Sequence, residues 1–553
     1  MYLSLIEKIK GFFKTRQRTD GSRRVLTKLP LGIQSFEDIR DKKYLYVDKT
    51  EIIHRIVSKG KVYFLSRPRR FGKSLLINTL EELFKGNRKL FKGLYIYDKW
   101  KWSQKYPVIK IDWGGINHST PEEMKESLIS YLKEIAEKYQ ITLNEKSAID
   151  SFRKLIESLH SKTGKKTVIL IDEYDKPITS HLFDTDLNDI KKAIHDFYQV
   201  MKSSDNHIEF IFITGVSKFS GLSIFSALNN PVDITIDEDY VSICGYTQEE
   251  LESNFSEYID SAAEHLKMTR EDLLEQIRYW YNGYTWDGKT AVYNPVSTMI
   301  FLDTREFVGY WFRTGTPTFL IDIIQRRNRP DIVLTQHVVS NNAFNGYDPP
   351  KINEISLFFQ TGYLTVKQKD VIGGIPSYTL DIPNMEVKEA LLKCLLEAYG
   401  QYSDEQVINL RKTMQQQILA CDEPGFSRTL ESMVASIPPE LHIGSESYYH
   451  SIMLMWMRII GFEIQAEASN NLGRADIVWK QPEPEVTVVA EIKYHATVKI
   501  ESLLNDAVNQ INNRRYYNKY HGKIILLGIA FSGKNVGCRL EELKIVDNIY
   551  LDK

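Results

Sequence analysis

Gly72, Lys73 and Ser74 close the run Arg67-Pro-Arg-Arg-Phe-Gly-Lys-Ser74, which fits the frame GxxxxGK[ST] except at its first position. Such a run can wrap a polyphosphate: backbone N–H groups bend around oxygens, the lysine reaches the β- and γ-phosphates, and the hydroxyl meets Mg²⁺. Arg67 stands where glycine is usual, so the loop must reach its shape by another route. With Arg69 and Arg70, Arg67 can neutralise phosphate, or these arginines form a solvated loop or a contact to another subunit. About a hundred residues on, Val168-Ile-Leu-Ile-Asp172-Glu173 is an apolar stretch ending in two acids. At such a place an Asp steadies Mg²⁺ and a neighbouring Glu polarises the attacking water. Thr214 ends another apolar run and can set a hydroxyl near the γ-phosphate. The candidate nucleotide site is therefore Arg67, Gly72, Lys73, Ser74, Asp172 and Thr214, with Glu173 catalytic, Ser74 and Asp172 on the metal, and ATP with Mg²⁺ as ligands.

A second group of acids lies near the other end of the chain. Gly473-Arg-Ala-Asp476-Ile-Val-Trp479 and Val486-Thr-Val-Val-Ala-Glu491-Ile-Lys493 read as two strands joined through Pro482 and Pro484. Glu491 and Lys493 are two apart and so share a strand face. If the strands pair as a hairpin, Asp476 and Glu491, with the carbonyl of Ile492, can hold Mg²⁺ while Lys493 orients water. Glu446 or Glu467 can add a carboxylate. Gln510 and the run Arg514-Arg-Tyr-Tyr517 sit on a following helix that can approach a phosphate backbone. The bland alternative is a set of acids left as a binding surface or as solvated strand ends.

Alternating elements must position the first group. Val62–Ser66, Val108–Asp112, Thr167–Asp172 and Ile208–Thr214 read as strands, and helical spacing follows Thr50 and Gly72 and recurs over 121–138, 147–161 and 190–201. Strands alternating with helices indicate a parallel α/β sheet over about residues 40–245. Residues 246 to about 325 read as helical and aromatic-rich, and strand-like runs flank Gly373-Gly374, giving a weak winged-helix pattern. The segment Trp280-Tyr-Asn-Gly-Tyr-Thr-Trp286 can stack on bases, but a packed helix end with a turn at Asn282-Gly283 is the favoured reading. Residues from 445 onward read as a second α/β unit.

Bulk composition bounds the rest. At 553 residues and ~150 per domain, three or four units are expected. A net charge of -1 gives no general field for nucleic acid, so any such contact needs local basic patches. Cys244, Cys394, Cys421 and Cys538 form no CxxC pair, which argues for free thiols in a reducing cytosol. No stretch is apolar for long enough to span a bilayer. Leu3 to Lys14 can form an amphipathic helix without a cleavage site; a partner-packing or disordered extension is favoured over a membrane-surface helix or a signal peptide.

Leu29-Pro-Leu-Gly-Ile-Gln-Ser-Phe36, Tyr46-Val-Asp-Lys-Thr50, the arginine loop, Leu170-Ile-Asp-Glu-Tyr-Asp175 and Thr214-Gly-Val-Ser217 together resemble one family. The likeness continues through Trp280-Tyr-Asn-Gly-Tyr284, Tyr293-Asn-Pro295 and Phe359-Gln-Thr-Gly-Tyr363. This is the bacterial AAA-ATPase-like family with a C-terminal PD-(D/E)XK nuclease-like domain, in which an arginine-bearing phosphate loop is typical. The resemblance implies a P-loop NTPase parallel sheet, a helical and winged-helix-like middle, and an α/β restriction-endonuclease-like domain. It divides the chain into a basic extension (1–28), an ATPase domain (29–245), a middle region (246–440) and a nuclease-like domain (441–553). It also makes Asp476, Glu491 and Lys493 nuclease residues, with nucleic acid, DNA favoured, as substrate; the unpaired cysteines point to a cytoplasmic setting, and the arginine-rich loop to a possible homo-oligomer. The competing expectation is an ATP-dependent signalling or assembly protein whose C-terminal domain binds nucleic acid or protein without cutting.

Overall fold

A computed structural model describes residues 26–182, 184–218, 228, 231–311, 323–324, 336–344, 353–391, 404–435, 446–459, 462, 464–470, 473–482, 485–520, 522–533 and 535–543. The N-terminal amphipathic stretch and Cys394 lie outside them; Cys244, Cys421 and Cys538 are free thiols.

Five parallel strands form the first sheet: β1 (Val62–Ser66), β2 (Val108–Asp112), β3 (Thr167–Asp172), β4 (Ile208–Gly215) and β5 (Val232–Asp233), in the order β2-β3-β4-β1-β5. β1 and β3 are buried along their whole length, as their unbroken apolar runs require of strands covered on both faces. Helices close the crossovers and are well capped: Thr120 accepts from the Glu123 N–H ahead of Pro121–Lys138, and Ser147 accepts from the Asp150 N–H ahead of Ala148–Thr163. β5 has two residues and an exposed first position, too short and too polar to carry a periodic signal.

The middle region builds its own core. Leu251, Phe255, Ile259, Leu273, Ile277 and Phe301 meet across helices Gln248–Asn254, Ser256–Leu266, Arg270–Tyr281 and Pro295–Thr304. A three-stranded sheet follows, with β6 (His337–Ser340), β7 (Thr365–Ile372) and β8 (Ile375–Asp381) in the order β6-β8-β7. The β7–β8 hairpin turns at Gly373 and Gly374, both at positive φ, and the helix Glu354–Thr361 precedes it.

The C-terminal unit packs helix Glu446–Ile459 and helix Ile500–Arg514 against a second five-stranded sheet, β13-β12-β11-β10-β9. Its strands are β9 (Ile464–Asn470), β10 (Gly473–Pro482), β11 (Glu485–His495), β12 (Lys523–Ser532) and β13 (Asn535–Leu543). β10 and β11 pair antiparallel, Pro482 opposite Glu485, as the proline turn predicts. β11 and β12 are parallel and joined by the helix Ile500–Arg514. Among the described residues no helix is long and apolar enough to cross a membrane.

Candidate nucleotide and nuclease sites

β1, between β4 and β5, delivers its loop at the C-terminal end of the first sheet. Gly72 caps the helix Lys73–Lys85 at φ 93°, a left-handed conformation that favours glycine, and beyond its chain neighbours no atom lies within 4 Å of where a Cβ would stand. The loop therefore leaves open space beside a helix N-terminus whose amides have no intrahelical acceptor. Lys73 is buried, and its Nζ donates to the carbonyls of Arg67 and Pro68, both at 2.9 Å. Burial lowers its pKa, while Asp172, Asp175 and Glu173 pull it back up.

The acids arrive on neighbouring strand ends. Asp172 lies in register with Asp112 across β2 and β3, and its Oδ1 accepts from Thr214 Oγ1 at 2.5 Å and from the Glu173 N–H at 3.0 Å. β4 runs between β3 and β1, so Thr214 sits between the acid strand and the phosphate-loop strand. Glu173 takes a left-handed φ of 51°, rare for a side chain of its size and a form of strain found at functional positions. A Cβ on Gly114 would meet Asp112 Oδ1 and Glu173 Oε2, each at 3.1 Å, so these two carboxylates flank one point. Burial raises the pKa of Asp112, with repulsion from Asp172 and Glu173 adding to it. Behind them, buried Asp175 accepts from the N–H groups of Val216 and Ser217 at 3.1 and 2.7 Å and so pins the turn after β4. Sequence reasoning did not single out Asp112 or Asp175. The available signal was that Asp112 ends an apolar strand just as Asp172 does, but pairing the two requires the sheet order.

The three arginines part company. Arg67, expected among the nucleotide-binding residues, turns inward. It is fully buried, donating from Nη1 to the carbonyls of Ser66 (2.9 Å) and Thr235 (2.7 Å), and its guanidinium lies 3.9 Å over the Trp286 ring. Burial pulls its pKa down to about 10. These carbonyls and the indole ring surround the side chain, so in this structure it faces the protein rather than the open space beside Gly72. Arg70 is half-buried and donates to the Tyr310 carbonyl at 3.2 Å, whereas Arg69 is exposed. The loop backbone is also held from the middle region: Trp311 Nε1 donates to the Arg69 carbonyl at 3.2 Å, and Phe71 packs edge-on against Tyr284 and Trp286. Tyr281, Tyr284 and Trp286 are buried, as the packing reading of that aromatic segment expects.

A cavity of about 70 Å³ opens beside Gly72, lined among others by Tyr46, Lys49, Leu76, Thr79 and Cys244. Lys49 is paired with Glu250 at 2.6 Å. Among the described residues no group of three or more His, Cys, Asp or Glu is arranged to hold a metal ion by itself. A divalent cation at the loop would thus draw on Ser74, Asp172, water and the phosphates it accompanies, which is the ordinary habit of Mg²⁺.

In the C-terminal sheet Glu491 is buried, and its Oε1 accepts from Lys493 Nζ at 3.1 Å and from Gln510 Nε2. The helix Ile500–Arg514 thus lays Gln510 on the same carboxylate that the strand shares with Lys493. Glu446 approaches from its own helix, 3.8 Å from Lys493 Nζ. Asp476 lies in β10 one residue before Ile477, which pairs with Ala490, the neighbour of Glu491. The side chains of Asp476 and Glu467 lie outside the described residues.

Comparison with known proteins follows this division. The AAA-ATPase-like family model, described as "Predicted AAA-ATPase", matches residues 30–225, and a PD-(D/E)XK nuclease superfamily model matches residues 444–540. An "Uncharacterized protein in vnfD 5'region" of Azotobacter chroococcum mcd 1 is 36% identical over 519 residues, covering 91% of this chain and 96% of that protein. Among solved structures, Drosophila ORC bound to DNA matches at 11% identity and a TM-score of 0.26, covering 86% of this chain and 96% of its own. The Aeropyrum pernix ORC2 protein matches at 10% identity and 0.26, over 65% and 97%. At such TM-scores these two likenesses carry no argument.

Proposed function

From the premise that the chain belongs to the predicted AAA-ATPase-like family ending in a PD-(D/E)XK nuclease superfamily domain, we propose that it is an ATP-hydrolysing switch coupled to a metal-dependent nuclease acting on nucleic acid, DNA in preference, in the cytoplasm. The observation that carries the first half is the line of groups at the C-terminal ends of three adjacent strands: Lys73 under the loop, Thr214 hydrogen-bonded to Asp172, and Glu173 held beside it in a strained conformation. In this reading Lys73 exchanges two carbonyls for phosphate oxygens, and the loop amides beside Gly72 take the rest. Ser74 and Asp172 would hold the cation, directly or through water. Mg²⁺ there would supply charge neutralisation to the phosphates. Glu173 orients the attacking water, and Thr214 reports the γ-phosphate to Asp172. The cavity next to Gly72 lies in the direction proposed for the base.

The second half rests on Glu491, a buried carboxylate in contact with Lys493 and Gln510. Asp476 and Glu491 would hold the metal, which supplies Lewis acidity at the scissile phosphate, and Lys493 would orient water or steady developing charge. A second reading, in which this domain binds without cutting, is favoured by one observation: Glu491 Oε1 is already engaged by Lys493 and Gln510.

One panel tests both halves. Purified protein is given MgATP and then plasmid or single-stranded substrates with Mg²⁺ or Mn²⁺, beside Lys73→Ala and Glu491→Ala. Lys73→Ala is expected to weaken MgATP binding at least roughly tenfold, since a charged donor to phosphate is lost. Glu491→Ala is expected to abolish cutting while ATP turnover continues. Wild-type protein without affinity for MgATP would end the first half, and nucleic acid bound but never cut would favour the second reading.

A further inference from the structure

A cleft of about 730 Å³ opens where the helical middle meets the C-terminal sheet. Arg278 and Tyr279 face it from the helix Arg270–Tyr281, Asp381 from the end of β8, Lys388 from the segment after it, and Lys480 and Tyr520 from the nuclease-like unit. Three cations thus meet one carboxylate in a chain whose net charge is -1. The carboxylate is engaged by protein: Asp381 accepts from the Ile382 N–H at 2.7 Å and from Gln336 at 2.9 Å. Tyr279 is about half exposed, at 51%, and Lys480 lies 5.9 Å from the Tyr520 ring centroid. The two amides that line the cleft are turned to the protein, Asn384 donating to the Asn282 carbonyl and Asn282 accepting from the Gly283 N–H.

Cations for phosphates beside rings for bases, with the amides withdrawn from base edges, describe a sequence-tolerant grip on unpaired nucleotides. Duplex bases are already stacked inside their helix and cannot use the rings. Register ties the cleft to the candidate cutting site. Lys480 pairs with Thr487, and Thr487, Val489 and Glu491 alternate onto one face of β11, so Glu491 lies four residues on, ~13 Å at strand rise.

We propose that this cleft binds a single-stranded nucleic-acid segment flanking the bond presented at Glu491, held jointly by the middle region and the nuclease-like domain; the inference rests on the nuclease reading above. The binding itself needs no metal and is tested on the full chain in EDTA, where nothing is cut. A fluorescently labelled single-stranded oligonucleotide is titrated by anisotropy across a salt series, beside the duplex of the same sequence, an Arg278→Ala/Lys480→Ala double variant and Tyr279→Ala. The wild type should prefer the single strand. The double variant should bind it about tenfold more weakly and lose about 1.4 from the log–log salt slope, two phosphate contacts at ~0.7 each. Tyr279→Ala should weaken binding about fivefold or more with the slope unchanged. Unaltered ATP turnover in both variants shows that the fold is intact. Affinity and slope unchanged in the double variant, while wild-type protein with Mg²⁺ still cuts, overturn the cleft alone. Failure of the wild type to bind any nucleic acid overturns the nuclease reading and this inference together.

Discussion

Arg67 shows how far a motif position can depart from its frame while the site is kept. The sequence places it among phosphate ligands; its surroundings make it a buried clamp between β1, the Thr235 and Val241 carbonyls and the Trp286 ring. Arg67→Ala is therefore expected to lower stability by about 2–4 kcal/mol, read by thermal unfolding, because charge-assisted hydrogen bonds and a stacked ring are lost together. Loss of nucleotide affinity at unchanged stability would return the residue to the phosphate. Glu386 is the opposite case, a buried acid that no motif flagged. Its Oε1 accepts from the Tyr310 and Trp311 N–H groups at 2.6 and 2.7 Å, yet burial pushes its pKa from 4.5 to about 7. Because the folded value lies above the unfolded one, its contribution is full below about pH 4.5 and is lost as pH rises through about 7, a change of about 3 kcal/mol. Melting temperature should accordingly fall across that window, and Glu386→Gln should flatten the fall. An equal slope in the variant would place the titrating group elsewhere.

Among the elements, strands were the more legible. β1, β2 and β3 match the strand runs residue for residue, and β1 and β3 are nearly unbroken apolar runs because both of their faces are covered. β5 was not legible because two residues have no period, and its pairing with β1 is a tertiary event. The helix Glu354–Thr361 matters by what it touches. It ends at Gly362, φ 90°, and a Cβ there would stand 2.6 Å from Pro68 of the phosphate loop; two residues earlier, Gln360 accepts from the Lys218 N–H at 2.8 Å. Gly362→Ala should thus cost about 1–3 kcal/mol and weaken MgATP binding, because the added methyl presses a proline ring on the loop. Wild-type nucleotide affinity in a folded variant would show that the loop does not depend on this contact.

At the scale of the whole molecule, the phosphate loop is a joint between two regions. Arg70, Trp311, Phe71 and Gly362 bring the middle region onto the loop, so a ligand that moves Lys73 off the Arg67 and Pro68 carbonyls acts next to that seam. MgATP at a hundredfold above its Kd should stabilise the protein by about 2.7 kcal/mol and protect amides around Tyr310 and Trp311 from exchange, neither effect appearing in Lys73→Ala. Protection confined to residues of the first sheet would deny the joint. The sequence by itself determined the chemistry within short range: strand, Gly72-Lys73-Ser74, helix, and Asp172-Glu173 closing an apolar run, all set by local spacing and burial. It could not show that Asp112 stands beside Asp172, that Arg67 faces Trp286, or that Gln510 reaches Glu491. Those meetings follow from sheet order and from helices laid across strands, contacts between residues far apart along the chain. No local period encodes them, and tertiary packing alone selects which neighbours remain.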